Sequence, residues 1–493
     1  MQSQLLINST FKETRVALLE NNKLTELFIE RRVAPLIVGS IYKGKVGKVV
    51  PGMQAAFVEI GTKKAGFISV EDVYEESFIE FFLDEKDFKQ TKNSQQLIQD
   101  VLKEGQEVIV QVIKEPVFTK GAKLTSYIGI PGKYLVLLGT VDMVGISRKI
   151  DDDDERKRLF NIISSNKPND IGFIARTACI NVEENEIIDE IKYLIRFWKK
   201  IKNKSEKSPA PSKIHEEPSL YIRAVRDLLS NDISKIIIDT KKNYNEIKKY
   251  FSKKLYGKDF PIELYSKNDP LFKKFNIEEQ IKKIYQKKVW LKSGGYLIID
   301  EAEGLSVIDV NTGKFTGGED QEETIFMINQ EAALESARQI RLRNLVGIIV
   351  IDFIDLRNTK SRDKIFEIFS EELKKDRSRT VIQDISLFGV IQLTRQRVRE
   401  SILSMLTDTC HFCSGTGKIK SVYTICYEIL REIQYKSKLN NNKTLAIYAN
   451  TEAVNKLKEI EGKNIRKIQR ENNIKIKYKK TQDMLENFNI VVE

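Results

Sequence analysis

Cysteine is scarce in this chain of 493 residues: there are four, with Cys410 and Cys413 forming a C-x-x-C pair and Cys179 and Cys426 isolated. So few cannot build a disulfide framework, and a reducing compartment follows. Histidine is scarcer still, limited to His215 and His411. This argues against a nuclease that uses paired histidines as acid and base, so any hydrolysis must lean on carboxylates and metal. Long apolar runs are missing too. The longest, around Val346 to Ile351, is interrupted by Asp352 and Asp355, far short of the ~20 apolar residues a membrane span needs. The N-terminal stretch carries Asn8, Lys12, Glu13, Arg15 and Glu20 in place of an apolar leader, and its acidic groups argue against a transit peptide. The protein is expected to work where it is made.

What remains is ordinary soluble composition, 41% hydrophobic and 31% charged, in a chain too long for a single core. Lys and Arg number 82 against 70 Asp and Glu, a net +12, which favours an anionic partner if the excess is concentrated on one surface. The abundance of Ile, Lys and Asn suggests an AT-rich genome. The expected location is thus bacterial cytoplasm, or plastid stroma if the gene is organellar.

Residues 1–35 alternate polar and apolar groups around Asn21 and Asn22, which reads as a β-hairpin too small to stand alone. Residues 36–126 hold short β-branched runs between Gly and Pro turns, the pattern of a five-stranded OB-type barrel, with an acidic insertion at 75–87. Residues 127–218 are mixed, include a strand at 172–176, and end in a Lys/Ser/Pro-rich linker at 199–218. Residues 219–286 alternate helix and strand and are expected to complete the N-terminal hairpin. Residues 287–406 alternate strands with amphipathic helices, an α/β sheet. The cysteine pair occupies 407–420, and 421–493 form a small basic α+β domain.

In the α/β segment, alternation puts Asp309 and Asn311 on one face where a strand runs out into a Gly-rich loop. The apolar run Ile349 to Ile351 ends in Asp352. Ligands of open α/β sheets bind outside the carboxyl ends of strands, so one helix between the segments could bring Asp309 and Asp352 together. Oxygen ligands of this kind suit Mg²⁺. Taken singly, each acid reads more readily as a strand-end cap or ion-pair partner, and it is the pair beside a Gly-rich loop that points to a ligand. Arg338, Arg341, Arg343, Arg377 and Arg379 are candidates for phosphate contacts, although any one of them alone reads as a solvated face residue.

The strings IDVNTGKFTG, ARQIRLRNLVGIIVIDFIDL and CHFCSGTG, with ISRKI followed by IARTA, resemble in order the signatures of the ribonuclease E/G family of single-strand-specific endoribonucleases. Because the chain stops soon after the small domain, it resembles the shorter, ribonuclease G-like form. The resemblance implies an S1-type OB barrel inserted in an RNase H-like subdomain, then a DNase I-like α/β catalytic subdomain, a zinc-link and the small α+β domain. It also implies that Asp309 and Asp352 hold Mg²⁺, with Asn311 bonded to one of them or to the scissile phosphate. Cleavage of single-stranded RNA, in ribosomal RNA maturation and messenger decay, would leave a 5′-phosphate and a 3′-hydroxyl. Phe57 and Phe67 fall where rings stack on bases, and Lys114 where a phosphate is met. Arg176 and Thr177 match a sensor for a 5′-monophosphate, supported by Arg148, with Gly132 and Val136 lining it.

Cys410 and Cys413 supply half of a tetrahedral Zn²⁺ set, and the family shares one Zn²⁺ between two subunits. A homodimer, or a dimer of such dimers, is the implied assembly. His411 stands where a Pro is common in the family, and two unbound thiols at a turn are the plainer alternative. A catalytically inactive RNA-binding protein and a metal-dependent DNA nuclease are the rival readings. A silent descendant would have no reason to keep Asp309, Asn311 and Asp352 together.

Overall fold

The computed structural model describes residues 3–31, 38–73, 97–114, 121–229, 233–251, 261–313, 321–383, 386, 389–397, 399–440, 442–481 and 487–493. The acidic insertion expected at 75–87 and the loop after Gly313 lie outside them. The chain divides into two compact units, Met1–Leu403 and Ser404–Glu493.

In the first unit the N-terminus is a three-stranded meander, Ser3–Thr10, Glu13–Glu20 and Lys23–Arg31, where a hairpin was expected. A second reversal at Phe11, whose φ is +45°, adds the extra strand. The turn at Asn21 and Asn22 has both residues at positive φ, 49° and 63°, the arrangement that matches strand twist and that asparagine tolerates. Ile233–Ile238 pairs in parallel with Ser3–Thr10, and Ile262–Leu264 follows it, making a five-stranded sheet. The block 219–286 therefore shares one core with the meander: Leu5, Ile7, Val16, Val225, Ile236 and Ile247 are all buried.

Ile41–Val50, Ala55–Glu59, Gly66–Ser69, Lys123–Thr125 and Glu107–Lys114 are joined in that order, and the last pairs back on the first, closing a five-stranded barrel. A further strand, Ser212–His215, pairs with Ile41–Lys43 on its outside. This corrects the linker expected at 199–218. Residues up to Lys207 belong to the helix Glu184–Lys207. Its lysines are the wet side of an amphipathic helix whose Ile187, Ile191, Leu194, Trp198 and Ile201 pack beneath the four-stranded sheet of residues 129–175. Only a short turn separates that helix from the added strand.

The α/β segment is a six-stranded sheet in the order Lys288–Trp290, Tyr296–Glu301, Leu305–Asn311, Gly347–Asp352, Val390–Arg395, Thr380–Ile382. The sequence reads as one strand over 380–387, whereas the structure has a shorter strand, Thr380–Ile382, and a further one, Val390–Arg395, that was not anticipated. The chain turns back at Gly389, with φ +76°, and alternation of buried Ile391 and Leu393 with exposed Gln392 and Thr394 marks the return. The helix Gln321–Arg343 buries Ile328, Ala332, Ala333, Ala337 and Ile340 against this sheet. Its small residues allow the close approach.

The helix also ties the sheet to the meander, which corrects the reading of its arginines as phosphate ligands. Arg341 donates from Nη2 to Glu20 (2.6 Å) and Glu26 (2.9 Å). Arg338 donates to the Leu24 carbonyl (2.6 Å), and Arg343, at 2% exposure, donates to Gln339 and the Gln286 carbonyl. All three are consumed internally. Among the described residues, no helix is long and apolar enough to cross a membrane.

The second unit has helices Val422–Leu439 and Thr451–Glu471 on a three-stranded sheet. Its central strand, Thr444–Asn450, is parallel to Lys475–Thr481 and antiparallel to Phe488–Val492. Ile425, Ile429, Leu445, Ile447, Val454 and Leu457 form its core.

Breaking a buried ion pair from one side strands the other charge, at a cost of about 3–5 kcal/mol. We therefore expect Arg341→Ala to lower the denaturation midpoint of the first unit markedly, and Glu20→Gln with Glu26→Gln in that background to recover part of the loss. Urea titration followed by fluorescence tests this, since the two tryptophans, Trp198 and Trp290, both report on that unit. No recovery in the triple variant would mean that Arg341 acts by packing alone.

Candidate functional site

The strands Leu305–Asn311 and Gly347–Asp352 run parallel, with Asp309 directly opposite Asp352. Both carboxylates therefore stand on one face at the carboxyl ends of adjacent strands, where a parallel arrangement leaves room for a ligand. Asn311 donates from Nδ2 to Asp309 Oδ2 at 2.8 Å, which orients that carboxylate. Partial burial, then Asp309, then Asp355 raise the Asp352 carboxyl above its ordinary pKa. The acids are close enough to repel, and a cation between them would relieve that.

The segment that follows is held by Asn329, fully buried on the long helix. Its amide donates to the Ile354 carbonyl (2.7 Å) and accepts from the Ile354 N–H (3.1 Å). A Cβ on Gly389 would lie 3.3 Å from Asp355 Oδ1, so the return strand closes against this acid. Asn329 carried no sequence signal beyond a polar group on an apolar helix face. Asp355 was visible as the second acid of Asp-x-x-Asp. Among the described residues, no group of three or more His, Cys, Asp or Glu converges on a metal position. The residues that could hold a hard divalent cation here are the two carboxylates, a number of protein ligands that Mg²⁺ commonly takes.

Across the barrel, register places Lys48 opposite Phe57, Phe57 opposite Phe67, Phe67 beside Lys123, and Lys123 opposite Lys114. Cross-strand partners share a face, so two rings are flanked on both sides by ammonium groups. The rings meet edge-on at 6.0 Å, and Phe57 remains 36% exposed. Lys123 is steadied by buried Asp72 at 2.9 Å. Lys48 and Lys123 were missed from sequence because strand register is invisible there.

Arg176 ends the strand Gly172–Ala175. It donates from Nη1 to the Gly132 carbonyl at 2.6 Å and pairs through Nη2 with Asp227 at 2.9 Å. The turn carrying Gly132 is set by Glu190, a fully enclosed acid that accepts the N–H groups of Lys133, Tyr134 and Leu135 at 2.7, 2.8 and 2.8 Å. Thr177 is exposed beside Arg176, and Arg148 is half-buried after the neighbouring strand. Val136 sits differently from the expectation: its side chain is buried in an apolar cluster with Tyr127, Leu138, Val141 and Ile174.

Arg379 is not brought to the acid pair. It precedes Thr380, which pairs with Arg395, whereas Asp352 pairs with Val390 at the other end of that strand, about 16 Å away at ~3.3 Å per residue. Sequence proximity had hidden the strand between them.

In the second unit, Cys410 is exposed and Cys413 partly so. Gly417 donates its N–H to Cys413 Sγ at 3.3 Å, and this bond, with that from Gly415, lowers the thiol's pKa. Amides aimed at a sulfur suit a thiolate ligand, but these two sulfurs are only half a tetrahedral set.

The family model described as the Ribonuclease E/G family matches residues 129–398; the S1 RNA binding domain matches 36–125, and the RNase E/G thioredoxin-like domain 409–492. Ribonuclease G of Haemophilus influenzae is 40% identical over 446 residues, 90% of each chain. Ribonuclease G of Escherichia coli K12 is 37% identical over 469 residues, 95% of each chain. Ribonuclease E of Escherichia coli K12 is 37% identical over 442 residues, which is 89% of this chain and 41% of that longer protein.

The barrel row makes a direct prediction. Phe57→Ala should weaken binding of a single-stranded RNA oligonucleotide by about 1–3 kcal/mol, the worth of a lost stacking contact. Lys48→Ala should instead reduce the slope of log affinity against log salt by about 0.7. Fluorescence anisotropy at several salt concentrations separates the two, and an unchanged slope would remove Lys48 from the RNA path.

Proposed function

This chain belongs to the ribonuclease E/G family and is an endoribonuclease, and we propose that it cleaves single-stranded RNA by Mg²⁺-dependent hydrolysis at Asp309 and Asp352. The observation that carries this reading is the register pairing of the two acids at the open ends of adjacent parallel strands. Mg²⁺ held by these carboxylates would supply charge neutralisation and an activated water at the scissile phosphate. Asn311 keeps Asp309 turned toward the shared face, while Asn329 fixes the exit from the Asp352 strand. The barrel holds the single strand through Phe57 and Phe67, with Lys48, Lys123 and Lys114 at its phosphates. Attack by water leaves a 5′-phosphate and a 3′-hydroxyl, with no call on the RNA's own 2′-hydroxyl. Ribosomal RNA maturation and messenger decay are the processes this activity suits.

In this reading the sheet of residues 3–31 and 233–264 is the RNase H-like subdomain, and residues 287–406 are the DNase I-like one. Arg176 and Thr177 read a 5′-monophosphate, whose extra charge a guanidinium and a hydroxyl distinguish from a diester. Cys410 and Cys413 of two chains share one Zn²⁺.

Asp309→Asn and Asp352→Asn should each lower cleavage by about a hundredfold or more, as expected when charge stabilisation is lost, with oligonucleotide binding kept. Single-turnover assays in saturating Mg²⁺ with matched RNA and DNA strands test this. Rates within tenfold of the parent would sink the assignment, and DNA cleavage would revive the rival nuclease reading. Metal analysis should find one Zn²⁺ per two chains, and replacing Cys410 and Cys413 with Ser should release it and shift sedimentation toward monomer. A full zinc per chain would reject the shared site.

A further inference from the structure

Arg176 belongs to a small network that its proposed role does not by itself require. Asp227, in the helix Leu220–Leu228, pairs with Arg176 at 2.9 Å and also accepts both arms of Arg226, at 3.2 Å to Oδ1 and 3.2 Å to Oδ2. Arg226 is buried to 6% side-chain exposure and has a second acid, Glu217, at 3.2 Å, itself 10% exposed. Arg226 further donates to the Pro131 carbonyl at 3.3 Å, next to the Gly132 carbonyl that Arg176 holds at 2.6 Å. Two neighbouring guanidiniums thus grip consecutive carbonyls of one turn and share one carboxylate.

Asp227 is shared between two guanidiniums: Arg226, which also has Glu217, and Arg176, whose ion pair is with Asp227. The acid cannot swing away. Arg226 forks onto its side chain, and Arg377 donates to its backbone carbonyl at 2.7 Å and to that of Leu228 at 3.2 Å, the usual place for a cation at a helix end. Burial would raise the Asp227 carboxyl, but Arg226 and Arg176 outweigh it and leave it below the usual carboxylate range, so it stays ionised at neutral pH. The guanidinium of Arg176 is therefore fixed from both sides, by the Gly132 carbonyl and by Asp227, before any ligand arrives. Preorganised donors lose less freedom on binding than a mobile side chain.

We propose that Asp227 is a positioning residue that sets the discrimination between RNA ends, by holding Arg176 in the orientation that receives a 5′-monophosphate. The inference rests on the reading of Arg176 and Thr177 as the end sensor, and the experiment keeps the two apart. Cleavage is measured on one RNA sequence carrying either a 5′-monophosphate or a 5′-hydroxyl, with the full-length protein, and the quantity read is the ratio of the two rates. Arg176→Ala tests the sensor itself. Asp227→Ala removes the acceptor, and Asp227→Asn keeps an oxygen that can still accept from Arg176. Melting temperatures accompany each variant.

The ratio is expected to fall toward that of Arg176→Ala, about tenfold below the parent, in Asp227→Ala, with Asp227→Asn in between. The loss should appear mainly in KM for the 5′-monophosphorylated RNA. A parental ratio in Asp227→Ala, while Arg176→Ala loses it, overturns the positioning role and leaves the sensor standing. A parental ratio in Arg176→Ala overturns the sensor reading on which it depends. If Asp227→Ala does not fold, Asp227→Asn decides. Proportional loss on both RNAs with a lowered melting temperature in both variants would assign Asp227 to folding and overturn the proposal.

Discussion

Two like charges held side by side at the ends of adjacent strands are the constraint around which the first unit is built. Asp309 and Asp352 face each other in register, the charge of the first helping to raise the carboxyl of the second, so the geometry of the pair depends on how the backbone is fixed. The fixing is done from beneath. The helix Gln321–Arg343 lays alanines and isoleucines on the sheet and sends Asn329 to both polar groups of Ile354. A buried amide that satisfies a donor and an acceptor at once is costly to displace, so the exit of the second strand has little freedom. At the opposite end of the sheet, Arg395 forks onto Asp376 at 2.6 and 3.1 Å and reaches Asn344 at 2.8 Å. The strand that carries Asp352 is thus held at both ends.

The same helix carries the coupling to the rest of the unit. Its last turns place Arg338 and Arg341 on the meander, and the loop at 376–378 receives Lys149 through two carbonyls while Arg377 caps the helix holding Asp227. Several arginines that look free in a linear reading are therefore interior fastenings. Arginine suits this work, since its planar fork satisfies several acceptors without becoming neutral.

That division explains which features were legible in the sequence. Alternation exposed Asp309 with Asn311 and located the three central strands, Tyr296–Glu301, Leu305–Asn311 and Gly347–Asp352, because a strand with one buried face leaves a period of two in its sequence. The barrel was legible for the same reason. The extra meander strand, the return strand Val390–Arg395 and the row Lys48, Phe57, Phe67, Lys123, Lys114 were not, since each depends on which strands pair and in what register. The stretch 199–218 misled because lysine and proline density describes a solvated surface as well as a linker, and only the spacing of Leu194, Trp198 and Ile201 distinguishes the helix.

The arginines show the limit most clearly. Arg338, Arg341, Arg343 and Arg377 read as a cluster of phosphate ligands, yet every one is engaged by protein acceptors, whereas Lys48 and Lys114 stand on the barrel surface. The formal excess of +12 is consequently not spread evenly over the roles it could play. Guanidiniums paired with acids, as Arg341 is with Glu20 and Glu26 and Arg338 with Glu335, add little to the long-range field, because their charge is offset within a few ångströms. What a polyanion meets at a distance is chiefly ammonium, compact and hydrated, which attracts phosphate without selecting among sequences. In the proposed reading, selectivity comes from the few places where geometry is fixed: the two rings on the barrel, the fork of Arg176 held by Gly132 and Asp227, and the paired carboxylates.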